Sequence, residues 1–75
     1  MDVRIGVTDH PREIGVKLPD DADRAAVKAE VEAALNGESA TLWLTDDKGG
    51  EVGIPTAKIA FVEIGPENAG RIGFG

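Results

Sequence analysis

The side chains best suited to chemistry cluster early: Thr8, Asp9, His10 and Arg12 fall within a single short stretch. A carboxylate beside an imidazole can orient it for proton transfer. The same stretch, Thr8-Asp9-His10-Pro11, also has the composition of a turn, with Pro11 fixing its own φ and restricting His10. A lone imidazole there has no nucleophile to serve. The chain contains no cysteine and a single serine, Ser39, placed just before a strand and outside any G-x-S-x-G elbow. Asp46, Asp47 and Glu51 flank a glycine loop but lack EF-hand spacing, and one histidine without thiols is too little for structural zinc. Neither Gly49-Gly50-Glu51-Val52-Gly53 nor Gly70-Arg71-Ile72-Gly73-Phe74-Gly75 fits the Walker A or dinucleotide fingerprint, and neither opens a helix. The expectation is a protein that is not an enzyme and uses no cofactor or metal.

Two features remain as binding candidates. Arg4, Arg12 and Lys17 come from the first two strand-like segments. If they share an outer face beside the Thr8–His10 turn, they form a modest cationic patch for a carboxylate, phosphate or nucleotide. Solvated strand polars are the plainer account. Trp43 lies on the strand face opposite Leu42 and Leu44, between Thr41 and Thr45. On an open face it would anchor a partner; under a curled or paired sheet it would be core.

Charge separates the partner classes. The 75 residues carry a net charge of −6. Residues 1–19 balance, whereas residues 20–38 place Asp20, Asp21, Asp23, Glu30, Glu32 and Glu38 against only Arg24 and Lys28. Non-specific DNA binding needs a basic stripe that releases counterions, and none is visible, so no DNA partner is expected. No segment reaches the length of a transmembrane helix and the first residues do not resemble a signal peptide, so the expected location is the cytoplasm, away from membranes. With 41% apolar and 29% charged residues the sequence reads as a single globular domain, 1–75.

The elements that must position these residues follow from periodicity. Val3, Ile5 and Val7 alternate with polar residues or glycine, as do Ile14, Val16 and Leu18, which predicts an antiparallel hairpin. Pro19-Asp20-Asp21 offers N-cap carboxylates to a helix over 22–35. That helix has an apolar stripe of Val27, Val31, Ala34 and Leu35, outer pairs Asp20–Arg24 and Lys28–Glu32, and a stop at Asn36-Gly37. Strands are predicted over 40–45, around Val52 and Ile54, and over 59–64. The last is apolar on both faces and so expected at the centre of its sheet; a short edge strand follows at Arg71–Phe74.

The resulting fold class is α+β in ββαβββ order: an antiparallel, strongly curled sheet of five or six strands with one helix on one face. One helix cannot cover both faces of such a sheet. Either the sheet curls toward a barrel or a second molecule supplies the cover.

Val3-Arg4-Ile5-Gly6-Val7-Thr8-Asp9-His10-Pro11-Arg12-Glu13, Leu42 to Asp47, Ile59-Ala60-Phe61-Val62-Glu63-Ile64-Gly65 and Arg71-Ile72-Gly73-Phe74-Gly75 resemble a family of short actinobacterial proteins, the domain of unknown function 3107. The resemblance spans essentially the whole chain and implies a short cytosolic protein without assigned catalytic residues. An association with ATP that the resemblance also carries finds no P-loop here. The sequence thus favours a small binding or interaction module, with a protein partner or self-association in view. Small-anion or nucleotide binding at the N-terminal hairpin is the alternative.

Overall fold

Val3 and Ile5, spaced by two, give strand β1 (Asp2–Val7) one fully apolar face, and both are 0% exposed. The computed structural model, which describes residues 1–66, places β1 at the centre of a three-stranded antiparallel sheet. Its neighbours are β2 (Ile14–Lys17) and β5 (Ile59–Ile64). Val3 faces Val16 and Ile5 faces Ile14 on one side; Val3 faces Ile64 and Ile5 faces Val62 on the other. Central position therefore goes to β1 and not, as its two apolar faces suggest, to β5.

A bulge explains why β5 looks apolar on both sides. Gly6 pairs with Phe61 and Val7 with Ile59, so Ala60 is an extra residue in the ladder. One added residue reverses side-chain parity. Ile59 consequently joins Val62 and Ile64 against the core, while Phe61 points outward and is 44% exposed.

The helix α1 (Arg24–Leu35) begins two residues later than the apolar spacing indicates. Asp23 is its N-cap, accepting hydrogen bonds from the N–H groups of Ala25 (3.0 Å) and Ala26 (3.3 Å). Asp20 and Asp21 are passed over because the chain first makes a turn, with Ala22 N–H donating to Pro19 C=O at 3.0 Å. The far end closes as a Schellman motif: Gly37, at φ 77°, donates to Ala34 C=O and Glu38 donates to Ala33 C=O. Val31 and Ala34 are buried, Val27 is partly so, and Leu35 turns out to be 52% exposed. Neither expected outer ion pair forms among the described residues. Arg24 instead reaches the end of β5, where its Nη1 donates to Gly65 C=O at 2.5 Å and ties helix to sheet.

Strands β3 (Thr41–Thr45) and β4 (Glu51–Pro55) form a separate two-stranded antiparallel sheet. This corrects the expectation of one strongly curled sheet of five or six strands. The Arg71–Phe74 strand lies outside the described residues. A single backbone hydrogen bond joins the two sheets among those residues, from Asp47 N–H to Lys17 C=O at 2.8 Å.

The division has a packing reason. The helix buries too narrow a stripe to cover β1 and β2, so Leu42, Leu44 and Ile54 of the hairpin join Val31 and Ala34 over Val3, Ile5, Val16 and Leu18. Extending the first sheet sideways would leave that apolar surface in water. The cover comes from the chain's own hairpin.

The hairpin loop is fixed by Asp46, whose Oδ1 accepts from Lys48 N–H (2.9 Å) and Gly50 N–H (2.7 Å). At the other end Thr56 Oγ1 donates to Ser39 C=O at 2.6 Å, and the 3₁₀ turn Thr56–Lys58 then leads into β5.

Two substitutions probe this packing. Asp23→Ala should cost about 1 kcal/mol in denaturant unfolding through loss of the cap. Ile5→Ala should cost about 2–5 kcal/mol, because its side chain is wholly enclosed, and will unfold a domain this small at moderate denaturant.

Candidate functional site

In the N-terminal turn the His10 ring contacts the turn's own backbone, whereas Thr8 reaches across to Lys58. Asp9 adopts φ 63°, a left-handed conformation that Asp tolerates, and His10 N–H donates to Val7 C=O at 3.1 Å. His10 Nδ1 lies 2.9 Å from Arg12 O and 3.3 Å from Arg12 N, so the imidazole braces the turn against its own backbone. Thr8 is bound at its N–H (2.8 Å) and Oγ1 (3.3 Å) to Lys58 C=O.

Of the three candidate cations, Arg4 alone forms ion pairs among the described residues. Arg4 projects from the outer face of β1 between two carboxylates: Nη2 pairs with Glu63 of β5, and Nη1 lies 3.6 Å from Glu13 Oε1. All three side chains are about half exposed, so the pairing contributes at most about 1 kcal/mol, but it cancels the local positive charge. Lys17 sits across the ladder from Asp2. Beside it, Gly15 and Lys17 share an open 360 Å3 cleft with Asp46, Asp47 and Lys48 of the hairpin loop, a surface of mixed sign. No group of three or more His, Cys, Asp or Glu stands close enough to hold a metal among the described residues. No helix among them is long and apolar enough to cross a membrane.

Trp43 is the largest exposed apolar side chain, at 60% exposure. The alternative of a core indole is therefore not what the chain adopts. Its ring is nonetheless held in place. Trp43 faces Gly53 across the hairpin, and the indole lies flat over the glycine: a Cβ there would come within 2.7 Å of the ring carbons. Phe61 repeats the arrangement over Gly6, where a Cβ would fall 2.1 Å from the ring. In both pairs an aromatic covers the bare backbone of a cross-strand glycine, burying one ring face and leaving the other to solvent.

Neither glycine announces this role by itself, since each reads alone as a strand weakener. The signal lies in an aromatic and a glycine opposite one another in register. Trp43 also walls an open 260 Å3 cleft with Leu44 and Thr45 on one side and Pro19, Ala22, Val27 and Glu30 on the other.

Gly53→Val should tilt the indole off the strand. The expected result is a shift in Trp43 emission and a loss of about 1–3 kcal/mol in stability from the clash. Unchanged emission and stability would show that the ring is not seated there.

Comparison with known proteins adds one relationship. None of the curated proteins matches this chain. A family model described as a protein of unknown function, DUF3107, matches residues 1–75. The chain, from its Arg4-bearing first strand to its final glycine, belongs to the DUF3107 family.

Proposed function

We propose that this chain is a non-enzymatic binding module that engages a protein partner through the outer side of the β3–β4 hairpin, with Trp43 as its anchor. The observation that carries the reading is an indole 60% exposed and yet seated on Gly53. The core closes without it, since Leu42, Leu44 and Ile54 already fill the inner side of the hairpin. Tryptophan is the residue type most enriched among side chains that dominate association energies. A ring already confined by its neighbour loses little rotamer freedom on binding, so more of its desolvation energy appears as affinity.

The chemistry around the N-terminal turn supports the same direction. His10 and Thr8 brace the backbone, and Arg4 is matched by Glu13 and Glu63. An incoming anion would first have to displace these carboxylates. A second copy of the chain is one form the protein partner can take, and the mass in solution distinguishes it from a foreign protein.

The test compares the wild-type chain with Trp43→Ser, and with Phe61→Ser as a control for removing an exposed aromatic. Both variants should fold, because neither side chain belongs to the core. Solution mass and quantitative capture from a cell extract are then measured in parallel. The expected outcome is a partner or a dimer retained by wild type and Phe61→Ser. Trp43→Ser should lose at least about tenfold in affinity, the equivalent of about 1.4 kcal/mol. A Trp43→Ser chain with the same mass and the same partners at the same affinity overturns the proposal.

A further inference from the structure

We infer that the partner binds by adding an extended, cationic segment as a third strand alongside β3. This rests on the reading of the hairpin as the contact surface and specifies its mode.

The ladder itself shows which backbone groups are available. Asp46 N–H donates to Gly50 C=O at 2.8 Å and Thr56 N–H donates to Ala40 C=O at 3.0 Å. In an antiparallel pair the bonded residues alternate, so residues 40, 42, 44 and 46 point their backbone groups at β4. Thr41, Trp43 and Thr45 therefore direct their N–H and C=O groups away from it, and β3 has no other strand neighbour among the described residues. This is a row of donors and acceptors of the kind that templates strand addition.

Of the other three edges, those of β4 and β2 are poorer templates. On β4 the outward set is Glu51, Gly53 and Pro55, and proline has no N–H to give. On β2, Leu18 N–H bonds Met1 C=O, which turns Gly15 and Lys17 outward, but Lys17 C=O is already taken by Asp47 N–H.

Charge identifies the occupant. The outward edge of β3 borders the cleft whose far wall is Pro19, Ala22, Val27 and Glu30. Asp20 and Asp21 lie exposed next to that wall, and neither they nor Glu30 form an ion pair among the described residues. Arg24, the cation next in sequence, is turned toward Gly65. An extended segment carrying Lys or Arg would meet carboxylates that form no ion pair among the described residues on one side and the Trp43 ring on the other.

The probe is a short end-capped peptide of alternating Val and Lys, compared with its Val/Glu counterpart and with a Val/Lys version N-methylated at alternate amides. Amide exchange, backbone chemical shifts and Trp43 emission are followed. The Val/Lys peptide should slow exchange at Thr41, Trp43 and Thr45 and shift Trp43 emission to the blue. N-methylation and the Val/Glu peptide should each weaken binding at least tenfold. Thr45→Pro, which removes an N–H the β3–β4 ladder does not use, should do the same. The methylated peptide keeps the test decisive should that variant fail to fold.

Strand addition is overturned by no binding of the Val/Lys peptide, by equal binding of the methylated peptide or of Val/Glu, or by protection that appears on another strand. Should Trp43→Ser still lose its partners in that case, strand addition alone falls. Should it keep them, the hairpin reading falls as well.

Discussion

The structure depends on the enclosure of β1. Val3 and Ile5 reach complete burial only if something covers the inner face of the three-stranded sheet, and a 12-residue helix that buries just Val31 and Ala34 is too narrow to do so. The missing cover is the β3–β4 hairpin, and its recruitment shapes the rest of the architecture. It divides the strands into two sheets, commits Leu42, Leu44 and Ile54 inward, and turns Trp43 outward. The core side chains and the exposed indole therefore fall on opposite faces of the same strand.

Much of this was legible in the sequence because it rests on local rules. The alternation of Val3, Ile5, Ile14 and Val16 gave the first hairpin, and Asn36-Gly37 marked the helix end that closes as a Schellman motif. The features that were not legible depend on pairing between distant segments. The bulge at Ala60 changes the face of Ile59, yet no single residue announces it. The passage from one sheet to two follows from how core volume is shared among helix and strands, which periodicity does not encode. Asp23 won the cap over Asp20 and Asp21 because a turn at Pro19–Ala22 intervenes, and carboxylates in a run are interchangeable by composition alone.

The candidate site divides along the same line. Thr8, Asp9, His10 and Arg12 belong to a turn, in which the His10 ring contacts the backbone of Arg12 and Thr8 bonds Lys58 C=O. Arg4 reads as one third of a cationic patch because Glu13 and Glu63 are 9 and 59 positions away, and only sheet register brings the second of them beside it. For Trp43 the strand parity was plain, but its setting was not: Gly53, ten residues on, becomes the floor beneath the ring.

The one rung that joins the two sheets among the described residues, from Asp47 to Lys17, has a mechanical meaning. Between β1 and its neighbours a pull along the strands must shear several backbone bonds at once. Among the described residues a pull that separates the hairpin from that sheet breaks one, and afterwards works against apolar side chains sliding apart. Backbone bonding is thus dense within each sheet and sparse between them. A force on the hairpin would load that rung first, at the end of β2.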